Sequence, residues 1–407
     1  MNKTSLYALL LGAALVPASA YAGGFQLSEY SASAIGRAFA GTGVAGDDYS
    51  AVAYNPAAMT LKNTGLQAVA TYFKLHGHAY NLDNPGQNEG LLSTKVTVPA
   101  FFAQYKLNDK WHVGAGVYVP FGLGTNWKGR WFGDHEATDS VIEDVNYNLS
   151  VAYKATDKLS LGVSLIADAM HAELTNYAAQ NLPAYSMMEA DGFNVLWQAG
   201  LMYELSKDTR FGISYRPKSA QTLHGDHDIT VMNKSGRVHT RLTLPEYVNA
   251  SVYHKLNDSV ALMAGARWTR WNRFKTLDIW SDAVTGNDAT TGAVDEGWKN
   301  VWMFSAGADW YVNDQWTLRG GVAWDESPIR DSNHRTARIP DSSRVILSVG
   351  ATYKTGNWTW DAAFSHLIMQ KHDGYRPAGA NPLAKPAFNF RRELDTNMVS
   401  LGVQYNF

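Results

Sequence analysis

Met398-Val399-Ser400-Leu401-Gly402-Val403-Gln404-Tyr405-Asn406-Phe407 ends the chain, and its residues sort into two faces. Val399, Leu401, Val403, Tyr405 and Phe407 fall on one side, and Met398, Ser400, Gly402, Gln404 and Asn406 on the other. A period of two, greasy on one face and small or polar on the other, marks a strand whose sides meet different solvents. Lipid and lumen are such a pair of solvents in a membrane barrel. The parity recurs upstream, where Leu161, Val163, Leu165, Ala167 and Ala169 oppose Ser160, Gly162, Ser164 and Asp168. It recurs again where Val345, Leu347, Val349, Ala351 and Tyr353 oppose Arg344, Ser348, Gly350 and Thr352.

Composition agrees with that reading. The 407 residues include 35 Gly, 14 Trp, 21 Tyr and 15 Phe, an excess of aromatics and glycine that suits interfacial girdles better than a Leu/Ile core. No cysteine is present, which excludes disulfide scaffolds, thiolate metal sites and cysteine catalysis. A net charge of -2 gives no electrostatic footing for nucleic acid. At the N-terminus, Lys3, the apolar run Leu6 to Val16 and the small-residue site Ala20-Tyr21-Ala22 form a secretory signal that predicts a mature start at Gly23. That apolar run is too short to span a bilayer, and no later apolar segment is long enough. A membrane form of this chain must therefore be a β-barrel, in a bacterial cell outer membrane.

Six tight polar turns, at residues 107–110, 155–158, 206–209, 256–259, 312–315 and 354–357, alternate with seven longer segments near 81–95, 120–143, 173–191, 217–240, 272–297, 326–342 and 368–394. Thirteen connections imply about fourteen strands, an even number with both termini on the short-turn side. Trp111, Tyr153, Tyr203, Tyr311, Trp316, Tyr353 and Trp358 beside those turns would form the periplasmic aromatic belt. Residues 23–64 break the alternation. Asn55-Pro56-Ala57 suits a helix start, with Asn as cap and Pro at the first position. So long a pre-strand segment reads as a small helical plug inside the barrel, with a flexible periplasmic extension as the alternative that composition alone permits. The expected organisation is a signal peptide (1–22), an N-terminal hatch (23–64) and a transmembrane, all-β antiparallel barrel (65–407). The third strand begins at Trp111 and runs into Pro120, with Gly116, Phe121, Gly122 and Gly124 around it. Proline removes a ladder donor and glycine permits a bend, so a breach and an ordinary strand end are both open here.

Gly24-Phe25-Gln26-Leu27-Ser28-Glu29, Ile35-Gly36-Arg37-Ala38-Phe39-Ala40-Gly41, Asp47-Asp48 and Asn55-Pro56-Ala57 resemble the hatch of the FadL family of outer-membrane long-chain fatty acid transporters. Matching fragments continue through Pro120-Phe121-Gly122-Leu123, Leu244-Pro245-Glu246, Glu296-Gly297-Trp298-Lys299, Asp325-Glu326-Ser327-Pro328 and Ile339-Pro340-Asp341. The terminal Phe407 also resembles the signal read by the barrel assembly machinery. The resemblance implies a monomer that takes up long-chain fatty acids or other hydrophobic small molecules without a cofactor. Loops would catch the ligand, an apolar pocket would hold it, and a hatch containing Gly23, Gly24, Phe25, Asn55, Pro56 and Ala57 would rearrange. Release would be lateral, through the kinked third strand into outer-membrane lipid, past the lipopolysaccharide that blocks apolar solutes.

Lys299 stands where the resemblance puts a carboxylate-binding lysine, and parity gives it the face of Met303. No base occurs in Ala172–Tyr177, where a partner arginine would stand, so uncharged aromatic or alkane hydrocarbons are the runner-up cargo. Leu182, Pro183, Tyr185, Met187 and Met188 suit an exterior capture groove, with Met adapting to varied ligands, and ordinary loop packing explains them about as well. Asp134-His135 and His224–Asp228 lack the fixed partners that hydrolysis needs, and His76 with His78 lacks a third metal ligand. The reading is of a channel, ahead of a hydrolase or an adhesin.

Overall fold

The computed structural model describes residues 23–178, 183–230, 233–285, 289–378 and 386–407. The expected signal peptide and Leu182 lie outside them. Among the described residues, every extended segment joins one antiparallel sheet that closes on itself. Nine strands are continuous: β1 (Gly65–Asn81), β2 (Gly90–Lys106), β3 (Trp111–Asn126), β4 (Asp139–Lys154), β5 (Leu159–Tyr177), β6 (Tyr185–Glu204), β11 (Trp316–Asp325), β12 (Arg344–Thr355) and β14 (Phe388–Asn406). Five are interrupted: β7 (Thr209–Arg216, Ser219–Ile229), β8 (Lys234–Leu244, Tyr247–Lys255), β9 (Val260–Thr269, Thr276–Ser281), β10 (Ala289–Asp295, Val301–Tyr311) and β13 (Trp358–Met369, His372–Arg376). The total is fourteen, as the turn count implies. Pro217 and Pro245 stand at two of the interruptions, where a missing N–H ends a ladder.

Closure comes from β1 against β14, in register from Gly65↔Asn406 to Asn81↔Phe390. Outward positions carry exposed Leu66, Phe101, Leu149, Leu165, Trp197, Phe211, Trp302, Phe304, Leu347 and Leu401, a continuous apolar band for lipid. Inward positions carry buried Thr71, Asn146, Ser150, Asp168, Gln198, Ser214, Arg319 and Ser400. These groups bond one another across strands, as in Ser150 Oγ–Ser164 Oγ (2.7 Å) and Thr71 Oγ1–Ser400 Oγ (2.8 Å). Trp111 packs on Tyr153 at 4.5 Å and Trp316 on Tyr353 at 4.8 Å, as the turn-side belt requires.

Several segments read as loops are instead strand. β3 continues to Asn126, β5 reaches Tyr177, β6 starts at Tyr185, and residues 219–244 form most of a hairpin between β7 and β8. Above the lipid both faces of a strand meet water, so hydrophobic alternation fades while backbone pairing persists. Tyr185, Met187 and Met188 therefore stand at the start of strand β6, paired with Tyr177, Thr175 and Leu174, and not on a loop.

Residues 23–64 fill the bore and are almost wholly buried. Helix α1 (Ala32–Gly36) is capped by Ser31, whose hydroxyl accepts from Ala34 N at 3.0 Å. Helix α2 (Ala51–Tyr54) leads into a 3-10 turn at Pro56–Leu61. Asn55 caps that turn through Ala57 N (3.2 Å), with Pro56 in its first position, as the motif predicts.

Candidate functional site

The ladder between β2 and β3 is open over a long stretch. β2 pairs with β1 along nearly its whole length, but with β3 only from Phe101↔Val117 to Lys106↔His112. Above Tyr118 the β3 strand carries an extra residue. Tyr118 faces Asn146 and Phe121 faces Asp144, so three steps on β3 match two on β4. A bulge of this kind bends the strand that holds it, and Pro120 lies inside it. Above the bulge β3 has no ladder with β2, and the two meet again only at the bridge of Leu92 with Trp127, just past the end of β3.

The hatch takes the vacated place. Leu27 N donates to Pro120 O (2.7 Å), Gly122 N donates to Phe25 O (2.9 Å), and Gln26 bridges Phe121 in antiparallel fashion. The N-terminal residues act as a short surrogate strand on kinked β3. This places Phe25 in a cage of Phe121, Trp271, Phe274 and Trp298, with ring centroids 6.1, 4.9, 6.0 and 5.9 Å away. Gly24 makes the approach possible. Its φ is +79°, and a Cβ there would press on Trp298 and on Trp271 at 2.8 Å. A small cavity of about 30 Å³ lies under this segment, lined in part by Leu27, Tyr30, Tyr247, Arg267 and Met303. Met303 is buried and lumen-facing, as parity requires.

The rest of the hatch is anchored by charge. Arg37 binds Asp47 (2.6 Å) and Asp309 (2.9 Å), and Arg319 binds Asp47 (3.2 Å), Asp309 (3.3 Å) and Asp361 (3.5 Å). Asn55 Nδ2 donates to Gly43 O and to Leu201 O of the wall, both at 3.2 Å. Removing one partner from such a buried network costs about 3–5 kcal/mol, because the survivor keeps an uncompensated charge. Gly23 to Ser28, by contrast, makes no ion pair among the described residues and is held by hydrogen bonds, such as Thr269 Oγ1 to Gln26 Oε1 (2.9 Å), and by the buried side chains of Phe25 and Leu27.

Three site expectations need correction or addition. Lys299 does not reach the lumen: its side chain is 43% exposed and bonds Glu326 at 2.6 Å. The break at Glu296–Asn300, where Gly297 has φ +47°, resets the parity and sends Trp298 inward instead. Met188 packs against the core, while Tyr185 meets Tyr177 edge to face at 5.5 Å. Arg216 is the residue that sequence reasoning missed. It is fully buried, and its Nη1 and Nη2 have no hydrogen-bond partner. It sits across the ladder from Tyr247, which lines the small cavity. Strand parity shows it, since Ile213 and Tyr215 face lipid and Ser214 and Arg216 face in. Trp271 Nε1 in the cage is likewise unpartnered.

The cage has a titratable support. Glu296, in the break of β10, is buried and accepts from Trp298 Nε1 at 3.1 Å. Burial pushes its carboxyl up to about 8, with Arg376 opposing and nearby Glu136 adding to the rise. A carboxyl raised in the fold favours the folded state fully below its unfolded value of about 4.5, and that contribution fades as pH climbs through 8. Cage packing is therefore expected to weaken by a few kcal/mol between about pH 5 and 9. Tryptophan fluorescence and the thermal midpoint should follow that slope, and Glu296→Gln should flatten it.

On the lipid side, beside the lower end of the gap, lies a groove of about 850 Å³. Leu66, Phe101, Leu149 and Leu165 line its outer part, and Phe102, Gly116 and Asn148 its floor. Gly116 belongs here for close packing, because a Cβ on it would press into Phe102 at 2.7 Å.

A family model described as "Outer membrane protein transport protein (OMPP1/FadL/TodX)" matches residues 13–407. The 47 kDa outer membrane protein of Pasteurella multocida (strain Pm70) is 32% identical over 449 residues, covering 100% of both chains. The long-chain fatty acid transport protein of Escherichia coli O6:H1 is 28% identical over 402 residues, covering 87% of this chain and 89% of its own. Among solved structures, a Pseudomonas aeruginosa FadL homologue superposes with a TM-score of 0.84 at 24% identity, over 94% of this chain and 100% of its own. The Pseudomonas putida toluene transporter TodX superposes at 0.70 with 15% identity, over 88% and 94%. At those identities the two structures speak for the fold. All four are named for transport, for a transporter homologue or for the outer membrane, and none for an enzymatic activity.

Proposed function

The chain belongs to the OMPP1/FadL/TodX family of outer-membrane transport proteins for hydrophobic compounds, and on that premise we propose that it imports long-chain fatty acids by displacement of its own N-terminal segment. The observation that carries the proposal is the seat of Phe25. One apolar side chain of the hatch occupies an aromatic cage and, through the same three residues, covers the one stretch where β2 and β3 do not pair. A ligand whose chain binds the cage competes with Phe25. Its arrival frees Gly23–Ser28, and loss of the Leu27–Pro120 and Phe25–Gly122 bonds uncovers the gap. The apolar groove outside then accepts the chain into lipid, where burial of methylenes favours it by about 0.8 kcal/mol each. The ion-paired remainder of the hatch stays in place. Processing of residues 1–22 belongs to this proposal, because Gly23 and Gly24 must be free of a leader to lie within the bore.

Arg216 favours an acid over a neutral cargo. Its unpartnered Nη groups supply the two parallel donors that a carboxylate takes up. The purely aromatic cage favours a second reading, monoaromatic hydrocarbons, which need no head-group contact. Binding to the detergent-purified protein separates them. Arg216→Gln is expected to weaken oleate at least tenfold, which corresponds to about 1.4 kcal/mol, and to leave toluene within about twofold. If oleate is unaffected, the fatty acid reading loses its support and the hydrocarbon reading stands.

A further inference from the structure

Just above the apolar band, the outward residues of β13, β14, β1 and β2 form rows that the register makes explicit. The lowest of three rows is Phe364, Val399, Tyr72 and Thr97; the next is His366, Asn397, Lys74 and Lys95; the third is Ile368, Asp395, His76 and Ser93. Lys74 and Lys95 are thus direct cross-strand neighbours, both exposed, at the upper margin of the lipid-facing band. Like charges in that relation destabilise a sheet. The carboxylates close by are engaged elsewhere: Asp395 takes Asn397 Nδ2 (3.2 Å), Glu393 takes Lys371 (2.8 Å) and Glu89 takes His78 (2.9 Å). Among the described residues neither Lys74 nor Lys95 has an ion-pair partner.

The surroundings are concave above and greasy below. A cavity of about 480 Å³ opens at the next row up, lined in part by His76, His78, Lys128, Lys371 and the engaged carboxylates Glu393 and Asp395. Beneath it Tyr72 and Phe101 lead down β1 and β2 to the groove that holds Leu66 and Leu149. β2 at the height of Lys95 has no partner on β3, so the site borders the gap. We propose that Lys74 and Lys95 bind the phosphate of an outer-leaflet phosphorylated glycolipid, with its sugar in the cavity and its acyl chains along β1 and β2. Two adjacent ammonium groups at head-group depth match a phosphate as point charges, and the anion removes the repulsion between them. The bound lipid would brace the edge of β2 that lacks a strand neighbour. This inference does not depend on which cargo is carried.

The test uses native mass spectrometry of the full-length protein from nanodiscs containing lipopolysaccharide, enzymatically dephosphorylated lipopolysaccharide, or phosphatidylglycerol. Wild type is expected to retain the phosphorylated glycolipid at least tenfold more than Lys74→Gln/Lys95→Gln, and to retain neither of the other lipids. A control at a periplasmic turn, Lys110→Gln, should behave as wild type. Equal retention by the double variant, or equal retention of either comparison lipid, overturns the proposal. Thermal midpoints give a second readout. Without glycolipid the double variant should melt at or above wild type, and added glycolipid should raise wild type alone by several degrees. A lower midpoint for the variant without glycolipid would make the lysines structural and also overturn it.

Discussion

Deletion of Pro120 is expected to reduce oleate uptake by cells at least tenfold while leaving a folded, membrane-inserted barrel. The register explains why a single deletion suffices. β3 holds one residue more than β4 between Tyr118 and Phe121, so removing Pro120 restores one-to-one pairing without moving Phe121 to the other face. A straight β3 can continue its ladder with β2 above Phe101 and Val117, where none exists now. Folding is read from the heat-dependent mobility shift of the barrel, and uptake from labelled oleate in cells that contain no other importer. Wild-type uptake by a straightened barrel would place the exit elsewhere.

The second large effect concerns the seat of the hatch. Gly162, Gly200 and Gly212 lie on the inner wall where the hatch turn docks. A Cβ on Gly200 would collide with Asn55 Oδ1, one on Gly162 with Ala57 N, and one on Gly212 with Val44 Cγ1. Gly200→Val therefore opposes the side chain that both caps the Pro56–Leu61 turn and bonds Leu201 O. Overpacking of this kind costs about 1–3 kcal/mol, and loss of the cap about 1 kcal/mol more. The wall itself has lipid, not hatch, on its other side and is expected to fold. In planar bilayers Gly200→Val should conduct ions where wild type is nearly closed, and its hatch should become sensitive to added protease. Unchanged conductance would mean that Asn55-Pro56-Ala57 does not hold the plug.

How much of this was legible in the sequence follows from which solvents the two faces of each strand meet. Where one side meets lipid and the other the lumen, as at Leu161–Ala169 and Val399–Phe407, parity is sharp and orientation follows. Above the lipid the contrast disappears, and Tyr185 to Met188 read as loop although they are strand. At an interruption the parity restarts, and a positive φ at Gly297 was enough to exchange Lys299 for Trp298 in the bore. The same restart hides the cage, because Trp271, Phe274 and Trp298 all stand in breaks of β9 or β10. Arg216 needed no structure, only the parity of β7 carried one residue further. The β2–β3 gap was half visible: Pro120 announces a bend, but not which neighbour the strand abandons, since that depends on where the hatch supplies a substitute.

A reversible tether of the N-terminal segment tests the central claim most directly. Gln26 and Phe121 face each other in an antiparallel bridge, and such pairs have Cα separations of about 4.5–5.5 Å, within the range a disulfide spans. The chain has no other cysteine to interfere. In cells carrying Gln26→Cys/Phe121→Cys, oleate uptake should fall to background under oxidising conditions and return, on reduction, to the level of the single variants. Uptake by the oxidised protein at the reduced rate would show that cargo passes without moving Phe25, and would contradict the account.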